Sequence, residues 1–167
     1  MTGRVLVTGI SGFIGSHVAL ALLNAGYEVR GSLRDTKRAS EVQQMLARAG
    51  ADVGRLELIR LDLLDDRGWT EAIEGCRYLQ HVASPLTVRP PRDRKELIRR
   101  AEEGTRRALE AAPDGKVERV VLTSSVAAVS YGHDPAEGDV YGDADWSATG
   151  GPDVTAYSES KTRAELE

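Results

Sequence analysis

Apolar residues in this chain fall in short runs and in helical stripes that alternate from one end to the other. Val5-Leu6-Val7 is a β-branched and aliphatic run that stops at Thr8-Gly9, the pattern of a buried parallel strand. From Phe13 to Ala25 the residues Ile14, Val18, Ala21, Leu22 and Ala25 recur at helical spacing, and Gly26 closes the segment as a C-terminal glycine. Tyr27 to Leu33 reads as a second strand, Glu41 to Ala49 as a helix and Leu56 to Leu61 as a third strand. A short helix over Trp69 to Glu74 precedes a strand from Tyr78 to Ala83. A Pro-rich, basic loop from Pro85 to Arg94 then leads into a long helix ending near Ala112. Pro113-Asp114-Gly115 is a turn signal, and Val117 to Thr123 is a fifth strand. Gly132 to Asp153 is rich in Gly, Asp and Pro and reads as a loop; a last helix starts near Val154 and is expected to run on to Glu167. Strands alternating with helices imply an open parallel sheet with helices on both faces.

Composition fits this picture without sharpening it. The 167 residues are 41% hydrophobic and 29% charged, the make-up of a globular domain with a core of its own. The sequence shows no run of 18 apolar residues and no basic region leading into a hydrophobic one at the N-terminus, so no membrane span and no signal peptide are expected. One cysteine, Cys76, cannot form an internal disulfide, and a reducing cytoplasm is the expected compartment. Net charge is −4 with no basic stripe, which argues against a nucleic-acid partner.

The first strand-helix junction carries Gly9, Gly12 and Gly15. Glycine lets backbone approach a pyrophosphate, and the helix N-terminus offers unpaired N–H groups and the positive end of a dipole. The spacing G-x-x-G-x-x-G differs from G-x-G-x-x-G, so a plain structural turn stands as the alternative. A ribose 2′-hydroxyl is ordinarily held by an acid at the end of the second strand, whereas a 2′-phosphate needs a cation. Leu33 occupies that place, Arg34 follows it, and Lys37 and Arg38 are close by, which favours NADP over NAD. Asp35 argues the other way, and Lys37 with Arg38 suit a solvated surface cluster equally well.

Downstream, Tyr157-Ser158-Glu159-Ser160-Lys161 sets Tyr157 and Lys161 four apart, on one face of a helix. Thr123-Ser124-Ser125 lies at the carboxyl end of the fifth strand, the edge at which ligands bind in such sheets. A neighbouring ammonium favours the phenolate, so Tyr157 is suited to exchange a proton with a carbonyl or alcohol, while a serine hydroxyl holds the substrate oxygen. Tyr-x-x-x-Lys arises by chance in many helices, and Thr-Ser-Ser also serves to satisfy strand-end backbone. It is their order, with the glycine loop upstream, that points to chemistry. His17 reads as packing or capping, His81 as a structural strand residue and His133 as a loop residue. Three scattered histidines and one cysteine have no metal-ligand spacing, so no metal is expected. Trp146 suits substrate contact and packing equally.

With these motifs in view the chain resembles the extended short-chain dehydrogenase/reductases of the NAD-dependent epimerase/dehydratase superfamily. The resemblance rests on TGISGFIG at 8–15, LDLLD at 61–65, HVASP at 81–85, LTSSVAAV at 122–129 and YSESK at 157–161. RGSLRD at 30–35, HVASP and DWS at 145–147 bring it nearest the dihydroflavonol reductase and cinnamoyl-CoA reductase branch, which includes microbial aldehyde and ketone reductases. The resemblance implies an α/β fold over residues 1–167: a Rossmann-type doubly wound parallel sheet in three αβα layers, forming one NAD(P)-binding domain. It implies that Tyr157 donates the proton, that Lys161 lowers its pKa and binds the nicotinamide ribose, and that Ser125 orients the carbonyl. Ser124 would lie along the cofactor, Asp62 would accept from the adenine amino group, and Leu63 would stand beside the ring. Phe13 and Ile14 would lend backbone N–H groups to the pyrophosphate, Ala83 and Ser84 would line the cofactor near its centre, and Arg34 would take the 2′-phosphate.

Relatives of this kind are about twice as long and add a C-terminal substrate-binding region, so the chain reads as a cofactor-binding half with little activity alone. Relatives also tend to carry an apolar residue where Glu102 stands, and a charge there is expected to weaken packing and a helix-mediated dimer. The function expected is transfer of a hydride from NADPH, with NAD as the alternative cofactor, to a small-molecule carbonyl substrate, an aldehyde or ketone. Two other readings stay open: an NAD-dependent sugar-nucleotide epimerase or dehydratase, and a dinucleotide-binding module without activity. No membrane and no nucleic-acid partner are expected, and a dimer is open.

Overall fold

A computed structural model describes residues 2–85, 93–134 and 140–167. The chain forms two compact units: the first runs to Ala83 and resumes over Arg107–Thr123, and the second comprises Ser84–Arg106 and Ser124–Glu167.

The first unit is a five-stranded parallel sheet. Its strands are β1 (Arg4–Val7), β2 (Glu28–Leu33), β3 (Leu56–Arg60), β4 (Cys76–His81) and β5 (Arg119–Leu122), in the order β3-β2-β1-β4-β5. All four pairings are parallel, and β1 is the central strand, with Val5 opposite Val29 on one side and Tyr78 on the other. Because successive side chains of a strand point to opposite faces, β1 feeds two cores at once. Val5 and Val7 join Val29 and Leu33 against α1 (Phe13–Asn24) and α2 (Ala39–Arg48), where Ala19, Leu23, Val42 and Leu46 are buried. Leu6 and Leu79 face the other way and meet Trp69, Ala72 and Ile73 of α3 (Trp69–Ile73). Ala108, Ala111 and Ala112, in the last turns of α4 (Arg94–Asp114), close that layer. The three-layer arrangement expected from the alternating pattern is therefore present. Each fully buried Leu or Val at these positions is worth about 1.5–3 kcal/mol over its exposed state.

Element boundaries depart from expectation where side chains intervene. A 3-10 turn over Thr36–Arg38 leads directly into α2, which begins at Ala39 rather than Glu41. The long helix α4 runs through Pro113, which occupies its last turn. The chain reverses afterwards: Gly115 N–H donates to the Ala111 carbonyl, Val117 N–H to that of Ala112, and Lys116 takes the left-handed conformation at φ 55°. Gly115 is needed for a different reason, since a Cβ there would lie 2.7 Å from the Ile73 side chain. Strand β5 is shorter than expected, and strand β4 begins two residues earlier than its expected start at Tyr78 and stops at His81. Most of the Pro-rich loop expected over 85–94 lies outside the described residues.

The second unit holds a 3-10 turn over Val126–Ala128 and α5 (Ala156–Glu165). Helix α5 ends at Glu165 with Leu166 as its cap, so it does not continue to Glu167. Between the turn and α5 the described residues contain no helix or strand, as the Gly-, Asp- and Pro-rich composition implies. In α4, Glu102 is half-buried beside the buried Ala101, Gly104 and Thr105, at the border of the helix's apolar stripe. No helix among the described residues is long and apolar enough to cross a membrane.

Candidate functional site

In a parallel sheet the carboxyl ends of all strands share one edge. Gly9 follows β1, Arg34 follows β2, Asp62 follows β3 and Ala83 follows β4, so the four stand along that edge in adjacent positions. The glycine loop is organised around a single carbonyl, that of Gly9. Gly12 N–H donates to it at 3.0 Å, a Cβ at Gly12 would lie 3.3 Å from it, and a Cβ at Gly15 would strike it. Gly9 itself has φ +70°, and a Cβ there would come within 2.9 Å of the Ala83 Cβ. Larger residues at these positions would force the loop open. The turn is thus built for close backbone approach, and α1 springs from it with Gly12 as an N-cap that contributes no side chain.

The first N–H groups of a helix have no partner inside it. At the start of α1 Phe13 is 81% exposed and Ile14 52% exposed, an unusual pair of bare apolar side chains beside those N–H groups. His17 Nδ1–H donates to the Phe13 carbonyl at 2.8 Å and its ring lies 4.6 Å from that of Phe13, which makes it a brace for the first turn. This cradle fits a dinucleotide's pyrophosphate: uncapped N–H groups, a positive helix end and no Cβ to obstruct approach.

At the end of β2, Leu33 is turned into the core, 2% exposed. Arg34 is exposed, and no hydrogen bond or ion pair holds it among the described residues. Asp35 Oδ1 accepts the Lys37 N–H at 3.0 Å and so caps the 3-10 turn. Arg38 is paired with Glu41 at 3.1 Å, and that carboxylate raises its pKa. Of the cluster read from the sequence, Arg34 is therefore the guanidinium left for a ligand. Asp62 accepts the Leu64 N–H at 3.1 Å, which fixes its carboxylate at the end of β3, and Leu63 packs half-buried against the core.

In the second unit, Thr155 and Ser158 start α5 with a reciprocal capping box: Ser158 N–H donates to Thr155 Oγ1 at 3.0 Å, and Thr155 N–H to Ser158 Oγ at 2.9 Å. This sets Tyr157 in the first turn and Lys161 one turn later. Lys161 is 9% exposed; burial lowers its pKa, and the carboxylate of Glu165 opposes the shift. Glu165 also accepts a hydrogen bond from the Ser124 hydroxyl, so Ser124 is engaged by α5. Ser125 Oγ accepts the Ala127 N–H at 3.2 Å as the N-cap of the 3-10 turn, and its own hydrogen stays available for an acceptor. Ser84 is half-buried in the same unit.

Sequence reasoning passed over two supports. Glu165 stands one turn beyond Lys161, a spacing that marks an opposite charge on the same helix face. Ser147, within the DWS stretch, is 4% exposed; its hydroxyl donates to the Ala127 carbonyl at 3.0 Å and accepts the Tyr131 N–H at 2.8 Å. It pins the turn that Ser125 begins. Neighbouring Trp146 is 39% exposed, and His133 stacks on Tyr141 with ring centroids 4.4 Å apart.

Sheet order, crossover helices and the glycine turn after the first strand define a Rossmann-type α/β protein. Residues 5–167 match the model of the NAD dependent epimerase/dehydratase family. The chain belongs to that family. It is 42% identical over 143 residues to cinnamoyl-CoA reductase 1 of Oryza sativa subsp. japonica, covering 86% of this chain and 40% of the relative. It is 36% identical over 146 residues to dihydroflavonol 4-reductase of Hordeum vulgare, covering 87% of this chain and again 40% of the relative. The crystal structure of Gre2 from Candida albicans in complex with NADPH superposes with a TM-score of 0.83 at 28% identity, over 98% of this chain and 51% of that one. The chain thus spans about half the length, or less, of these three proteins.

Proposed function

We propose that the chain supplies the cofactor-binding and proton-donating parts of an NADPH-dependent reductase acting on an aldehyde or ketone. The observation that carries the cofactor half of this reading is the end of β2: Leu33 is buried, and Arg34 beside it is exposed and uncommitted. A 2′-phosphate is the ligand such an isolated guanidinium suits. Gly9, Gly12 and Gly15, with the N–H groups of Phe13 and Ile14, would hold the pyrophosphate, and Asp62 and Leu63 the adenine end. NADPH, when bound, supplies the hydride. Tyr157 gives the proton to the carbonyl oxygen, the ammonium of Lys161 favours the phenolate that results, and Ser125 donates a hydrogen bond that orients the same oxygen. Ser124, Ala83 and Ser84 belong to the cofactor's surroundings in this reading. The Gre2 structure with NADPH supports the choice of cofactor.

Titration of the purified chain with NADPH and with NADH, followed by cofactor fluorescence, tests the reading. NADPH is expected to bind the more tightly. NADH binding about tenfold tighter than NADPH, a 1.4 kcal/mol preference, would overturn it in favour of an NAD-dependent epimerase or dehydratase. No binding of either would leave a fold without the cofactor. Tyr157→Phe is expected to abolish whatever NADPH oxidation the protein shows with a panel of aldehydes and ketones while leaving NADPH affinity unchanged; turnover equal to the parent's would remove Tyr157 from the proton-donor role.

A further inference from the structure

The cradle around Gly9 rests on a buried hydrogen-bond junction that the chemistry above does not use. Thr8, fully buried, follows β1 immediately before Gly9, and His81, 2% exposed, ends β4. A threonine hydroxyl has two lone pairs and one hydrogen. Thr8 Oγ1 accepts the N–H of Val82 at 3.0 Å and the N–H of Ala83 at 3.0 Å, which fills both lone pairs. Its hydrogen is left for one neighbour, His81 Nδ1, at 3.1 Å. Nδ1 must therefore accept, and a neutral imidazole that accepts at Nδ1 carries its hydrogen on Nε2. A ring with hydrogen on Nδ1 would point it at an oxygen with no lone pair to spare.

The junction matters because of what Ala83 touches. Ala83 is the residue whose Cβ, Cα and N lie 2.9, 3.1 and 3.3 Å from where a side chain at Gly9 would begin. Thr8 also anchors its own strand, donating its N–H to the Gln80 carbonyl at 3.0 Å. His81 orients the Thr8 hydroxyl, that hydroxyl fixes the Val82 and Ala83 amides, and Ala83 forms the wall against which Gly9 holds its left-handed turn.

We propose that His81 is a positioning residue for the dinucleotide cradle: as the Nε2–H tautomer, its Nδ1 accepts the Thr8 hydroxyl hydrogen and so sets the wall beneath Gly9. The proposal rests on the reading of that cradle as a dinucleotide seat. It assigns His81 no contact with cofactor or substrate and no proton transfer.

Two measurements test it. Nitrogen NMR of the histidine rings in the ligand-free protein reads the tautomer directly: His81 is expected to show an unprotonated Nδ1 and a protonated Nε2. A hydrogen on Nδ1 would overturn the proposal whether or not any cofactor binds. Three variants then separate orientation from bulk. His81→Asn keeps an acceptor near the place of Nδ1, His81→Gln moves its polar end out to the place of Nε2, and His81→Leu has neither. Leu and Gln are expected to weaken NADPH binding about tenfold, the effect of one misdirected buried hydrogen bond, and Asn to return it to within about threefold of the parent. Equal affinity in all three would overturn the proposal, as would Asn no better than Gln. Should His81→Leu fail to fold, the Asn and Gln pair decides, and should neither fold, the tautomer decides. A parent chain that binds no NADPH but shows the expected tautomer would instead count against the cofactor reading alone.

Discussion

Arg34 and Arg38 sit four residues apart with the same charge, and their surroundings give them opposite tasks. Arg38 answers Glu41 on the helix it precedes, whereas Arg34 has no partner among the described residues. Arg34→Leu is therefore expected to weaken NADPH binding about ten- to hundredfold, the worth of a charge-assisted contact of roughly 1.5–3 kcal/mol, and to leave NADH within about threefold. Parallel titrations of the two cofactors would show it, and an equal loss for both would dissociate Arg34 from the 2′-phosphate. The sequence made Leu33 and Arg34 conspicuous because a position that ordinarily holds an acid holds none. It left Asp35 ambiguous, since an acid beside that position reads as a ribose ligand, and its hydrogen bond to Lys37 N–H appears only in the fold. Local caps of this kind are decided by backbone geometry, and residue types alone do not reveal them.

At the scale of elements, α3 has only five residues, too few to be stable alone. Its stability comes from Trp69, Ala72 and Ile73 in the core and from a charge on a neighbouring strand. Arg30, 8% exposed in the middle of β2, sends Nη1 to the carbonyls of Glu71, Ala72 and Glu74 at 2.8–3.0 Å, and Nε to Glu57 at 2.9 Å. The guanidinium thus satisfies carbonyls at the end of the helix and complements its negative pole. Arg30→Met, similar in length and without charge, is expected to lower unfolding stability by about 2–4 kcal/mol, because those buried carbonyls lose their donor. Urea denaturation followed by circular dichroism measures it, and an unchanged midpoint would refute the role. Nothing in the sequence distinguishes Arg30 from a surface arginine, for its partners lie more than 25 positions away. Helix α4 shows the reverse: Pro113 reads as a breaker, yet it stands one residue from the helix's end, so the hydrogen bond its missing N–H removes is lost where the helix is already closing.

Across the whole molecule, the residues read as cofactor contacts fall mainly in the first unit, while Ser84, Ser124, Ser125, Tyr157 and Lys161 fall in the second. The succession of strands and helices along the chain and the two apolar layers were legible because alternation and helical spacing repeat along the chain, and each element's type follows from its own few residues; the order of strands within the sheet was not. What sequence could not supply were the long-range polar contacts: Arg30 with α3, Ser124 with Glu165, Ser147 with the turn before it. A ligand that binds the folded chain alone stabilises it by mass action, so NADPH at a hundred times its dissociation constant is expected to add about 2.7 kcal/mol and raise the unfolding midpoint by several degrees. NADH at the same concentration should raise it less. Thermal unfolding with each cofactor checks the expectation, and identical shifts would contradict the preference assigned to Arg34.

The capping box of α5 has one consequence in time. Tyr157 lies in the first turn, where helices fray, and Thr155 is what keeps that turn closed. A cap is worth about 1 kcal/mol, roughly a fivefold change in the share of molecules whose first turn is formed. A threonine with no proposed chemistry of its own thereby sets how often the Tyr157 phenol is held in the helix's geometry.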